Sequence, residues 1–400
     1  MCTPRILGFS VSATCQLYEN ELGPGGACHD LWSRMQEESY VNILALEPEE
    51  AQQDVSGVQP PSKCLSYSTG RFRNGATGLC NIGTTSCLNP LLQTLYMNKE
   101  FTGILCRIGD PDDNMPPDSR LPYELLALFE EMQNSKEDAV APYRFLHYLQ
   151  ILRATVYTQN DVAEVFSTIL SLLLRTTPNP QLTEKMRALY TIQLGERITC
   201  QRCSQQRTSN SDLLAIPLRL SYSKFHRKLT LERTLWRYFR SHETHDDRNL
   251  CPKCKSSRIV KVTHLRSLPR TLNIHLKRLS QKNPLQKVNR TLSFPPVLDL
   301  HEVLDPEHLP PEEYSMLCYN YRLFAVVAHS GTGGLGHFCC YINSHKDGRW
   351  YFFNDSSVCR VSWDDVKCTY GNTTFRWGVT ACLLVYVQSD AATDDTKPPM

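Results

Sequence analysis

Two C-x-x-C pairs, Cys200–Cys203 and Cys251–Cys254, stand with 47 residues between them in a chain of 400. Each such turn presents two thiolates to one ion, and two turns complete the tetrahedral shell that zinc prefers. A closed four-cysteine site leaves no position open for water, so the ion expected here is one structural Zn2+ without a catalytic role. The chain between the pairs must then loop out and return, as a finger-like β extension does. Ordinary buried or redox thiols are the competing reading, and His242 and His245, close to the second pair, are possible replacement ligands.

The other cysteines point the same way. Their total of 17 is odd and the chain is long, which suits reduced intracellular thiols better than a disulfide framework. The opening MCTPRILGFSVSATC is too polar for a secretion signal. The most apolar stretch, Val165 to Leu174, falls far short of the ~20 residues a spanning helix needs, so it belongs in a core and no membrane insertion is expected. Lys plus Arg number 43 against 41 Asp plus Glu, a net charge of +2. That balance supplies no broad attraction to phosphate backbones or anionic lipids, so nucleic acid is disfavoured as a partner.

Residues 1–76 mix Gly, Pro, Ser and acidic residues without sustained periodicity and read as a disordered N-terminal tail. Short apolar islands such as Tyr40 to Leu46 interrupt it. From Gly78 a Gly-rich turn leads into LNPLLQTLYM, where Leu88, Leu91, Leu92, Leu95 and Tyr96 recur at helical spacing. PYELLALFEEMQ and DVAEVFSTILSLLLR continue the helical pattern, the second with Asp161 as N-cap and Glu164 three residues on. After Thr199 the chain reads as short strands: LLAIPLRL, RIVKVTHL, TLNIHLKRL, YRLFAVVAH, HFCCYINS, RWYFFND and ACLLVYVQ. Helices first and strands later predict an α+β fold with a cleft at their boundary.

Two stretches carry chemistry. Gly336-His337-Phe-Cys-Cys-Tyr is followed, after a hairpin loop, by Trp350-Tyr-Phe-Phe-Asn354-Asp355. Adjacent strands so joined can set an imidazole beside a group that fixes its tautomer, the base-and-orienter half of a cysteine-protease triad. Alone the signal is weak, because a His among aromatic strand residues is more often a satisfied core or edge group. The other stretch, Gly78-Leu-Cys-Asn81-Ile-Gly-Thr-Thr-Ser86-Cys87-Leu-Asn89-Pro90-Leu-Leu-Gln93, puts a candidate nucleophile at a helix N-terminus, where the helix dipole lowers a thiol pKa and favours an oxyanion. Asn81 on the preceding loop is a candidate oxyanion donor.

This second stretch resembles the cysteine box of the ubiquitin-specific peptidase family, and GHFCCY with its downstream Trp and Asn-Asp resembles that family's histidine box. Gln159-Asn-Asp161-Val-Ala-Glu164 is similar to its Q-x-D-x-x-E motif, and Leu268-Pro-Arg-Thr-Leu-Asn-Ile-His275-Leu-Lys277-Arg278 to its L-P-x-x-L-x-x-H-L-K-R motif. The resemblance implies a papain-like hand over residues 77–388, with a helical thumb at about 77–195, zinc-bearing β fingers at about 196–266 and a β palm at about 267–388, before a C-terminal tail at 389–400.

It also implies a thiol-dependent isopeptidase that removes ubiquitin-like modifiers from lysine conjugates. In that reading His337 is the general base, Asn354 its orienter, Asn81 the oxyanion donor, Asp355 a supporting residue, and Gln159, Asp161, Glu164 and Gly336 substrate-binding residues. CTYGNTTFRW, FAVVAHSG and NIGTTSCLN are most similar to the interferon-induced branch, which implies an interferon-stimulated ubiquitin-like modifier as substrate, a type I interferon receptor complex as a further partner, and a cytoplasmic and nuclear location.

One departure outweighs the agreements: the motif cysteine falls on Ser86. A thiol of ordinary pKa near ~8.5 can be tuned to ionise at neutral pH, and a hydroxyl cannot. A modifier-binding or receptor-binding pseudoenzyme is therefore the alternative. Cys87 is a poor substitute nucleophile, since one helical step turns a side chain by about 100°. Pro90, where the family usually has Ser, has no N–H for the carbonyl of Ser86 and is expected to alter the helix start.

Overall fold

The computed structural model describes residues 77–82, 85–112, 114–154, 161–220, 229–240, 242–245, 250–280, 286–310, 319–332, 336–371 and 378–389. The expected N-terminal tail, Gln159 and all but the first residue of the expected C-terminal tail lie outside these residues.

The spacing of LNPLLQTLYM folds as the helix Leu88–Met97, with Leu88, Leu91, Leu92 and Leu95 buried. Pro90 explains where it begins. The N–H of Asn89 reaches the Thr85 carbonyl at 3.0 Å, but Pro90 has no N–H for Ser86, so the next rung of the ladder is missing. Ser86 and Cys87 consequently form a turn ahead of the first regular helical residue.

Helices Lys99–Leu105, Leu121–Asn134, Tyr143–Ile151, Val162–Thr176 and Pro180–Tyr190 follow. The cap read at Asp161 is present: its carboxylate accepts the Ala163 N–H at 3.0 Å. The apolar run behind it is core, with Val165, Phe166, Ile169, Leu170 and Leu173 buried. Among the described residues no helix is long and apolar enough to cross a membrane.

Two main sheets make the second half. The larger has eight strands in the order Ser357–Val361, Trp350–Asn354, Gly336–Asn343, Asn320–Gly331, Thr380–Gln388, Thr271–Lys277, Ile216–Arg219, with Val297–Asp299 added beside Asn320–Gly331. Only the Ile216–Arg219 pairing in it is parallel. Alternate residues of its strands, among them Phe338, Cys340, Ile342, Tyr351, Phe353, Leu383 and Val385, close one core with the helices. The smaller sheet is antiparallel, in the order Gln206–Leu213, Ile192–Cys200, Arg258–Ser267, His242–His245, and carries the C-x-x-C turns. Helices, large sheet and cysteine-bearing sheet make the α+β hand expected, although Ile216–Arg219, inside the expected finger range, pairs into the large sheet and the cysteine-bearing sheet begins earlier, at Ile192.

The strand reading missed Gln206–Leu213, because QRTSNSDL is polar on both faces and nearly all exposed, leaving no alternation to see. It also passed over the helix Leu231–Phe239, capped by Thr230, inside the strand-rich half.

Candidate active site

The site is assembled where the loop before the first long helix meets the end of the hairpin Gly336–Asn343 and Trp350–Asn354. Gly78–Leu79 pairs in parallel with Ala139–Val140, and the Leu79 N–H donates to the Asp355 carbonyl at 3.0 Å. The contact is too close for any side chain at 78: a Cβ there would lie 2.6 Å from the Ser356 carbonyl oxygen. Glycine thus lets the Asn81 loop sit against the Asp355 turn.

His337 Nε2 lies 2.6 Å from Asn354 Oδ1 and 3.6 Å from Asp355 Oδ2. With Nε2–H donating to the amide oxygen, Nδ1 is left as the lone pair that can take a proton. In a regular strand two successive side chains point to opposite faces. Asp355 escapes that alternation because its φ is +50°, an uncommon left-handed value for a residue other than glycine. Its carboxylate also accepts from Asn81 Nδ2 at 2.9 Å and from Asn89 Nδ2 at 2.8 Å.

Asn81 is further held by Thr85, whose hydroxyl donates to Asn81 Oδ1 at 3.1 Å and accepts the Ile82 N–H at 3.0 Å. An amide nitrogen carries two hydrogens, so the bond to Asp355 leaves Asn81 one N–H for a developing oxyanion. Gln93 Nε2 ties the helix to the Thr77 carbonyl at 2.7 Å. The sequence reading assigned no role to Asn89 or Thr85. Both stand in the quoted box, but nothing in their spacing shows that one braces Asp355 and the other Asn81.

Ser86 is half-buried in the turn before the helix. Cys87 does not fit the alternative role of nucleophile. It is part of the hydrophobic core, and burial pushes its thiol far above the ordinary range, with Asp161 and Cys382 adding to the effect.

Of the expected substrate-binding residues, Glu164 and Gly336 are exposed, while Asp161 is half-buried and engaged by His275 Nε2 at 3.0 Å from Oδ1. Burial alone would raise the Asp161 carboxyl. Its hydrogen bond to His275, the charge of that group, the Ala163 N–H and Lys277 outweigh it and hold the carboxyl below the usual range. A depressed carboxyl contributes stability that is complete above its unfolded pKa of about 3.9 and is lost as pH falls through the folded value. Asp161→Asn keeps an N-capping side chain but loses the charge. It should cost about 1–3 kcal/mol at pH 7. Thermal melts of variant and parent should converge as pH falls below about 4, and a gap independent of pH would refute the account.

The four expected metal ligands converge. Cys200 Sγ lies 3.5 Å from Cys254 Sγ, Cys203 Sγ lies 3.5 Å from Cys251 Sγ, and all four sulfurs are within 4.8 Å of one another. A disulfide would need ~2.05 Å, whereas four sulfurs at ~2.3 Å from one zinc stand about 3.8 Å apart. The two turns match bond for bond. Ser204 N–H donates to the Cys200 carbonyl and Lys255 N–H to that of Cys251, each at 2.9 Å, with φ at +56° for Ser204 and +58° for Lys255. Backbone N–H groups of Cys254 and Lys253 aimed at the Cys251 sulfur, with hydrogen bonds from Cys203 and Cys200, draw its pKa down against an opposing push from burial, while the same sulfurs push that of Cys254 up. These residues fit one tetrahedral metal ion. Among the described residues they are the group able to hold one, and the side chains of His242 and His245 lie outside what is described.

Comparison with known proteins agrees with this geometry. The sequence pattern of the family described as ubiquitin carboxyl-terminal hydrolase matches residues 77–386. Ubl carboxyl-terminal hydrolase 18 of Homo sapiens is 36% identical over 325 residues, covering 80% of this chain and 87% of that protein. Its Mus musculus counterpart is 38% identical over 321 residues, covering 79% and 86%. Ubiquitin carboxyl-terminal hydrolase 47 of Drosophila melanogaster is 25% identical over 391 residues, which is 79% of this chain and 25% of that longer protein.

Proposed function

The chain belongs to the ubiquitin carboxyl-terminal hydrolase family, and on that premise we propose that it binds a ubiquitin-like modifier by its C-terminal tail and holds an isopeptidase site whose turnover is withheld by Ser86. The observation that carries this reading is the convergence of His337, Asn354, Asp355 and Asn81 on the loop that leads into residue 86. In the reaction the site is built for, the nucleophile at 86 attacks the carbonyl carbon of the isopeptide bond and loses its proton to His337 Nδ1. Asn81 donates to the resulting oxyanion. His337 then protonates the departing lysine amine, and water, activated by the same imidazole, releases the modifier from the acyl-enzyme. Asn354 fixes the tautomer and Asp355, 3.6 Å from Nε2, supplies negative charge while the imidazolium exists.

With an alcohol at 86 every step but the first is provided for, so binding should outrun turnover. The preferred modifier is the interferon-stimulated one, in keeping with the likeness to proteins named Ubl carboxyl-terminal hydrolase 18. Service at a type I interferon receptor complex, in the cytoplasm and nucleus, and zinc as the ion of the four-cysteine centre complete the proposal. Calorimetric titration of the unaltered chain with ubiquitin and with the interferon-stimulated modifier tests it. Saturable binding of the latter at lower concentration is expected, together with no covalent capture by its C-terminal electrophilic probe. Absence of binding to either modifier would overturn the reading.

A further inference from the structure

His329 is 3% exposed, yet among the described residues its Nδ1 has no hydrogen-bond partner. Burying a ring nitrogen in this way is costly, and an apolar residue would fill the same space without that cost. The other ring nitrogen faces Gly336. A Cβ built on that glycine would stand 2.1 Å from His329 Nε2 and 2.4 Å from Cε1, so the imidazole rests directly on the Gly336 backbone. Its edge meets the ring of Phe338, its cross-strand partner, with centroids 4.7 Å apart. Gly336 and Phe338 are the two neighbours of His337 in the chain. The strand bearing His329 is itself tied down, for Lys287 Nζ donates to the His329 carbonyl at 2.7 Å and to the Gly378 carbonyl at 2.8 Å.

We propose that His329 is a positioning residue for His337: its ring is the seat for the residues on either side of the base, and Lys287 holds that seat in place. The inference rests on the reading of His337 as general base. The groups that bear on the charge of His329 favour this use. Burial, the Lys287 ammonium and His337 together hold the ring pKa down at about 3, so it stays uncharged across the working range. An uncharged neighbour does not oppose the positive charge that His337 must take on.

The test compares His329→Ala, which removes the seat, with His329→Gln, whose amide reaches the position of Nε2 and is never charged. In the unaltered Ser86 chain, labelled with 15N-histidine, the His337 ring signals should show one tautomer. They should move toward the average of two in His329→Ala and stay near the parent in His329→Gln. In a Ser86→Cys background, His329→Ala should lower kcat by about 10²-fold with KM within about two-fold, while His329→Gln recovers most of kcat. A residue that merely fills the core would instead make kcat follow melting temperature, with Gln no better than Ala. Should His329→Ala not fold, Lys287→Met takes its place, with the same His337 signals expected to move. Unchanged His337 signals in a folded His329→Ala or Lys287→Met protein would overturn the proposal. An inactive Ser86→Cys parent whose His337 signals still respond to His329→Ala would overturn the hydrolase reading and support this one.

Discussion

Ser86→Cys should raise cleavage of a fluorogenic modifier substrate by at least about 10³-fold over the unaltered chain, whose signal stays near background. The magnitude follows from what is already built. His337 Nε2 lies 2.6 Å from Asn354 Oδ1, Asn81 is braced by Thr85 and Asp355, and Asp355 is itself braced by Asn89. Members of a catalytic unit are strongly non-additive, so restoring the one missing member recovers most of the rate. In the proposed mechanism the introduced thiol is ionised by His337 at the helix N-terminus, so the activity should be abolished by alkylation. Cys87→Ala in the same background should leave it in place, because that thiol is buried in the core. Robust activity of the unaltered chain that vanishes on Cys87→Ala would show that residue 87 is the nucleophile after all. Failure of Ser86→Cys to act on any modifier it binds would favour the pseudoenzyme reading, with the missing rung at Pro90 as the structural reason.

Removing the metal should be felt across the fingers. Cys200 ends the strand Ile192–Cys200, which pairs along Arg258–Ser267, the strand that follows the second pair of ligands, so the ion pins the far end of that ladder. Structural zinc contributes on the order of 10 kcal/mol in isolated zinc-finger peptides. Within a larger domain only part of this appears, and Cys251→Ser should still lower the melting temperature by roughly 10 °C and release close to one equivalent of metal. Catalysis in a Ser86→Cys chain should fail only as the fold fails, since the ligands take no part in the chemistry. Plasma emission analysis of the purified protein finding less than about half an equivalent of zinc would remove the basis of this prediction.

The sequence by itself determined a good deal. Helical periodicity located the helices Leu88–Met97 and Val162–Thr176, and short apolar runs bounded by turns located most strands of the large sheet, whose central members are buried on both faces. It marked the four cysteines, whose matched C-x-x-C turns constrain geometry over a few residues. It also offered His337, Asn354, Asp355 and Asn81, through the likeness of the stretches around them to the boxes of a known family, since the His–Asn pattern alone is weak. It passed over the polar strand Gln206–Leu213, where neither face is buried and no pattern exists to read.

Only the tertiary structure decided how these parts serve one another. That Asn89 and Asn81 grip the carboxylate of a residue more than 260 positions away depends on the close pass of Gly78 over the Asp355–Ser356 turn. That Asp161 pairs with His275, and that Cys87 is lost to the core while Ser86 stays at the turn, depends on which helix face meets the sheet. The seating of Gly336 on His329 likewise arises from strand register. Period and residue type are set by neighbours along the chain, whereas contacts between distant segments depend on packing that no local pattern encodes.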